Sequence, residues 1–182
     1  MSNHISGDSK VVHIGFDDTD SAEGRCTTNL AFKTISKLTS ETDSKFIDYP
    51  LLVRLNPNIP WKTRGNGAIC LRIKTDQPSQ IIEYMVKILR TEPDMAHGAS
   101  PGLAILEGDN IPLVLRQFSN RAMYNEIKME EAEKLASQLS IQIFKYGKGL
   151  GIIGAMASIG SLLEGDHTYE AIAYRKEEYH GS

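Results

Sequence analysis

A chain of 182 residues that is 41% apolar and 24% charged has the material for one packed domain, or at most two small ones. Its 20 basic and 23 acidic side chains leave a net charge of −3, which excludes a generally basic nucleic-acid coat but leaves room for a basic cleft. The two cysteines, Cys26 and Cys70, do not form a Cys-x-x-Cys pair, so no zinc ribbon is encoded, and no apolar run is long enough to cross a membrane. Residues 1–9 are polar and read as a loose tail rather than a secretory leader, so a reducing cytoplasm is the expected compartment.

In chain order, Lys10 to Phe16 reads as a short apolar strand running into Gly15-Phe-Asp-Asp-Thr-Asp-Ser21. Asp17, Asp18 and Asp20 put three carboxylates into four residues, and a loop holding them beside a core strand needs a counter-charge. An oxygen-rich set of this kind suits Mg²⁺, which takes one or two carboxylates together with phosphate oxygens and water. A solvated acidic turn is the plainer alternative. From Thr27 to about Ser40, Leu30, Ala31, Ile35 and Leu38 form a helical stripe. Arg25-Cys26-Thr27 therefore opens a helix, where free N–H groups favour an anion, although Thr27 or Thr28 also suits a simple N-cap.

Alternation over Lys45 to Leu55 predicts one strand, with Arg54 on the face opposite Val53. The next stretch, Asn56-Pro-Asn-Ile-Pro-Trp-Lys-Thr-Arg-Gly-Asn-Gly67, is a shaped loop. Asn66-Gly67 alone signals a tight turn. Lys62 and Arg64 beside Gly65, Asn66 and Gly67 add a phosphate-binding reading, with backbone N–H groups and cationic side chains as donors. Trp61, the sole tryptophan, is expected to pack on the core, with base stacking as the alternative.

Ala68 to Lys74 predicts a strand, Asp76 onward a helix with Ile81, Met85 and Leu89 on one face, and Leu103 to Glu107 a buried strand. Helices follow from Asn110 to about Tyr124 and from Met129 to Leu139, the second with a narrow apolar face, and then a strand from Ile141 to Tyr146. Gly149 to Gly154 spells G-x-G-x-x-G between that strand and an apolar helix over Ile152 to Leu163. Gly149, Gly151 and Gly154, with Lys148, match a pyrophosphate turn, while helix packing alone also accounts for the glycines. Tyr169 to Tyr174 reads as a last strand. This order predicts an α/β (α+β) fold: a single domain with a mixed sheet flanked by helices. Acid for a metal with base and N–H groups for phosphate is the inventory of phosphoryl transfer.

Five segments occur together in order: Gly15 to Ser21, Gly24 to Thr28, Tyr49 to Pro57, Ile59 to Gly67 and Gly149 to Ala155. On these the chain resembles the N-terminal kinase-like domain of archaeal isoleucine-tRNA agmatinylcytidine (agmatidine) synthetase, over nearly all of residues 10–178. The resemblance implies a cytoplasmic ATP-dependent ligase that activates the 2-oxo group of the wobble cytidine for replacement by agmatine. It implies ATP and Mg²⁺ as ligands, with agmatine and isoleucine tRNA as partners of the full-length enzyme and no membrane. It also implies Asp17, Asp18 and Asp20 at Mg²⁺ and ATP, and autophosphorylation of Thr27. Family members continue into a ferredoxin-like domain, an OB-fold and a zinc ribbon, which are expected to be absent from these residues.

Two other readings fit parts of the chain. Asp18-Thr-Asp20 after a strand, with Gly165-Asp-His-Thr-Tyr-Glu170, resembles a haloacid-dehalogenase-type Mg²⁺-dependent phosphatase. Arg54, Trp61, Lys62 and Arg64 fit a non-enzymatic nucleic-acid-binding groove.

Overall fold

The structure, a computed structural model, describes residues 9–63, 65–162 and 167–168. The strand expected over Tyr169 to Tyr174, the acidic motif over Gly165 to Glu170 apart from His167 and Thr168, and nearly all of the N-terminal tail lie outside the described residues.

Strand β1 (Lys10–Asp17) is buried from Val11 to Phe16 because it lies inside the sheet. It pairs antiparallel with β4 (Gly67–Thr75), from Lys10↔Thr75 to Phe16↔Ile69. On its other side it pairs antiparallel with β5 (Gly102–Glu107), ending at Asp17↔Gly102. Strand β6 (Gln142–Lys145) pairs with β5, and the short strands β2 (Lys45–Phe46) and β3 (Leu51–Arg54) both pair with β4. The single strand predicted over Lys45 to Leu55 is thus two pieces. Pro50 has no N–H for the ladder, and Asp48 leaves the strand to meet Arg72 at 2.9 Å.

Helices and strands alternate as expected, but every described strand pair is antiparallel rather than mixed. The reason is topological. Helix α1 (Thr27–Glu41) joins β1 to the β2–β3 edge, and β4 returns into the gap between them. Helix α2 (Pro78–Thr91) joins β4 to β5 across β1 in the same way. Strands linked by a helix run the same way but are not neighbours, which is a pair of split β-α-β units.

Two layers of helix cover the sheet. Helices α1 and α2 bury Leu30, Leu38, Ile81, Met85 and Leu89 against Val12, Ile14, Phe16, Leu71 and Ile73. The other face takes α3 (Leu113–Tyr124), α4 (Met129–Gln138) and α5 (Gly151–Gly160). Helix α5 touches the strand backbones almost without intervening side chains. A Cβ on Gly15 would stand 2.0 Å from the Ala155 carbonyl oxygen, and one on Gly102 would stand 2.0 Å from the Ile152 nitrogen. At its far end the Arg72 guanidinium, 6% exposed, donates to Asp48 at 2.9 Å and to the carbonyls of Ile159 and Ser161. A cation there complements the negative end of the helix dipole.

Candidate active site

Strand β1 ends at Asp17 and delivers it to the N-terminal half of α5. The turn that follows is sharp. Asp18 adopts a left-handed φ of 57°, which aspartate tolerates better than most residues, and its N–H donates to Asp17 Oδ1 at 2.7 Å. The Asp18 side chain accepts from the Thr63 hydroxyl at 2.8 Å, tying the acidic loop to the basic one. The Asp18 carbonyl accepts from the Ser100 N–H at 3.1 Å. Burial, reinforced by the neighbouring charges of Asp18 and Asp20, pushes the Asp17 carboxyl up to about 7 despite the Asp18 N–H. Burial also raises Asp18, with Asp20 adding to it and the Thr63 hydroxyl opposing it. Asp20 is itself buried.

Helix α1 opens at Thr27, with Cys26 in the cap position and no side-chain cap, so the N-cap role considered for Thr27 or Thr28 falls to neither. Thr27 is 6% exposed, and its hydroxyl accepts from the Thr19 hydroxyl at 3.0 Å. Burial raises the Cys26 thiol, but the Thr28 hydroxyl and the N–H groups of Asn29 and Thr28 outweigh it and hold the thiol below its usual range.

The basic loop is braced by Asn56. Its backbone N–H donates to Ala122 O at 3.1 Å, its Nδ2 to Tyr124 O at 3.1 Å, and its Oδ1 accepts from the Asn58 N–H at 2.9 Å. Asn66 Nδ2 closes the loop on Asn56 O at 2.5 Å. Gly65 and Gly67 make room for a side chain: a Cβ at either would stand 3.0 or 3.3 Å from Arg54 Nη1. Trp61 does not pack in the core. It is 52% exposed, at the mouth of the cleft, because Pro60 and the Ile59–Lys62 turn hold it outward.

One cleft gathers Asp17, Asp18, Asp20 and Thr27 with Arg54, Lys62, Gly65, Asn66, Gly67, Gly151 and Gly154. Lys148 is exposed and Gly149 is buried beneath the Lys145 side chain, and neither lines it. Arg64 lies outside the described residues. The late glycine turn spends its N–H groups internally: Gly151 on Ser100 O at 3.1 Å, Ile152 on Gly149 O at 3.3 Å and Ile153 on Leu150 O at 3.2 Å. Gly151 and Gly154 therefore serve close helix packing, whatever else they face. Sequence reasoning missed Asn56, Thr63 and Thr19, which act through hydrogen bonds that cross the chain. It also missed the wall built by Asn125, Glu126 and Ile127 after α3, where no motif marks them. Among the described residues no three His, Cys, Asp or Glu side chains converge closely enough to hold a metal unaided. The carboxylates present fit an ion that draws its remaining ligands from phosphate and water.

Comparison with known proteins gives the chain its relatives. The TiaS TCKD domain model matches residues 13–77, and the TiaS FLD domain model matches residues 149–182. The isoleucine-tRNA 2-agmatinylcytidine synthetase TiaS of Pyrococcus horikoshii is 44% identical over 171 residues, 92% of this chain and 39% of its own length. That of Cenarchaeum symbiosum is 39% identical, over 94% of this chain and 38% of its own. The crystal structure of a complex of TiaS with its isoleucine tRNA and ATP superposes with a TM-score of 0.79 at 32% identity, over 85% of this chain and 37% of that one. That of a complex of TiaS with the same tRNA, AMPCPP and agmatine does so with a TM-score of 0.76 at 29% identity, over the same 85% of this chain and 37% of that one. None of these relatives is a haloacid-dehalogenase-type phosphatase, and that reading gains no support. Spanning about two-fifths of the length of the curated relatives it matches, the chain belongs to the TiaS family.

Proposed function

We propose that this chain carries the ATP-dependent chemistry of agmatidine formation: ATP activates the 2-oxo group of the wobble cytidine of isoleucine tRNA, and agmatine replaces that oxygen. The observation that carries this reading is the meeting of three things in one cleft: the buried carboxylate Asp17 with Asp18 and Asp20, the N-terminus of α1 at Thr27, and Arg54 over its glycine turn. Relatives named as isoleucine-tRNA 2-agmatinylcytidine synthetases and neighbours solved with ATP, AMPCPP and agmatine support it.

Asp17, Asp18 and Asp20 would hold Mg²⁺, which neutralises the triphosphate and the charge that develops on transfer. Arg54, Lys62 and Arg64 would grip phosphate oxygens. Without the ion the Asp17 carboxyl is pushed up to about 7, so Mg²⁺ binding near neutrality would displace a proton from it. In the autophosphorylation reading, the Thr27 oxygen bonds to the γ-phosphorus, the bond from that phosphorus to the ADP oxygen breaks, and the hydroxyl proton passes to a carboxylate of the acidic loop. The bound phosphate would then lie at the positive end of the α1 dipole.

Calorimetry with a non-hydrolysable ATP analogue, with and without Mg²⁺, tests the reading. Binding that needs Mg²⁺ and is lost in Asp17→Ala is expected. Binding of RNA without any affinity for ATP would replace this reading with the nucleic-acid module.

A further inference from the structure

Trp61 is the only tryptophan in the chain, and the core does not account for it. The segment that carries it is stiff. Pro57 and Pro60 restrict the backbone, the Lys62 N–H donates to Ile59 O at 3.3 Å, and the Asn56 side chain anchors the loop start to Tyr124 O. A large flat ring held half open to solvent at a cleft mouth loses little freedom when it binds, which is the property of a stacking platform.

Its position selects the base. Thr63, two residues on, bonds Asp18 Oδ1 at 2.8 Å, so the Trp61 backbone lies within roughly 7 Å of a residue that touches the acidic loop. In ATP the adenine lies a triphosphate's length from the phosphorus that reacts. A base that is to be activated must instead lie beside that phosphorus. Arg54 lines the same cleft, so a strand seated on the indole passes near its positive charge.

We infer that the Trp61 indole is the stacking platform for the reacting nucleobase of a single-stranded RNA segment, presented beside Asp18, and not for the adenine of ATP. This rests on the cleft being a phosphoryl-transfer site, as proposed above, and adds the residue that receives the substrate base. The chemistry, an aromatic face on an aromatic face, is shared by both sources of base, so the test must separate them.

The lone indole is its own reporter, because a base stacked on it quenches its emission. The chain is titrated with a seven-nucleotide single-stranded RNA carrying a central cytidine, and separately with a non-hydrolysable ATP analogue plus Mg²⁺. Saturable quenching by RNA, with no quenching by the ATP analogue, is expected. Trp61→Ala should lower affinity for labelled RNA, read by anisotropy, by about 5- to 150-fold, with a far smaller loss for the analogue and near-wild-type binding in Trp61→Phe. Quenching by the analogue alone would assign Trp61 to adenine and overturn the inference. So would an RNA affinity that Trp61→Ala leaves unchanged, or a wild-type chain that does not bind the RNA. Absent ATP binding in calorimetry sinks the phosphoryl-transfer reading, whereas normal ATP binding with an unquenched indole sinks this inference alone.

Discussion

The Asp17 carboxylate occupies the space that a side chain on Gly154 would need, since a Cβ there would stand 1.9 Å from Asp17 Oδ2. The third glycine of the G-x-G-x-x-G run thus lets an acid lie directly on a helix. Gly154→Ala is expected to destabilise the fold by about 1–3 kcal/mol and to displace Asp17, weakening Mg²⁺-dependent ATP binding. Urea titration and calorimetry read the two effects. Wild-type values in both would show that Asp17 is not seated on α5.

The same carboxylate sets a pH dependence. Its folded pKa, about 7, lies above the ordinary value of 3.8, so the folded state holds this proton more tightly than the unfolded one. Its contribution to stability therefore falls as pH rises from about 4 through about 7, and stays reduced above that. Asp17→Asn should be more stable than wild type at pH 8 in the absence of Mg²⁺, by about 2–4 kcal/mol, with no gain at pH 4. Urea melts at the two pH values check this, and an equal gain at both would mean that the effect is steric.

The proposed phosphoryl transfer to Thr27, at the start of α1, has a direct test. After incubation with γ-labelled ATP, peptide mapping should find label on Thr27 that survives hydroxylamine. Thr27→Ser should still be labelled, whereas Thr27→Val should lose the label and, by stranding the Thr19 hydroxyl, about 1–3 kcal/mol of stability. Hydroxylamine-labile label on Asp18 would point to an aspartyl phosphate and the phosphatase chemistry instead.

Much of this is legible in the chain. The acidic loop, the helical stripe of Leu30, Ala31 and Leu38, and the buried run from Val11 to Phe16 are local patterns, and the structure repeats them. What is not legible is non-local. Nothing between Thr75 and Gly102 tells that the chain will leave β4, pass over β1 and settle β5 on its far side, so the antiparallel register stays hidden. The G-x-G-x-x-G spacing is the same whether its N–H groups meet phosphate or Ser100 O, and only the fold shows the second. Composition places a tryptophan such as Trp61 in the core, while two prolines and one asparagine decide otherwise here.

Arg72 and Asp48 offer a test far from the cleft. The guanidinium is buried and holds α5 by two carbonyls, so Arg72→Ala is expected to cost about 3–5 kcal/mol by leaving Asp48 and the helix end unpaired. In a urea-denaturation double-mutant cycle, Arg72→Ala with Asp48→Ala should cost less than the sum of the two singles. Strict additivity would mean that the pair is not coupled.

The glycine contacts beneath α5 also leave the helix no slack. It cannot slide along β1 or roll over β5 without driving the backbone at Ala155 or Ile152 into Gly15 or Gly102. The FLD domain model begins at Gly149, so residues assigned by similarity to one module are folded into the sheet of another. The C-terminal end of α5 is therefore indexed to Asp17 by steric contact rather than by a tether. Enlarging Gly15 or Gly102 would lift the whole helix and unseat an acid that rests on a different residue, Gly154.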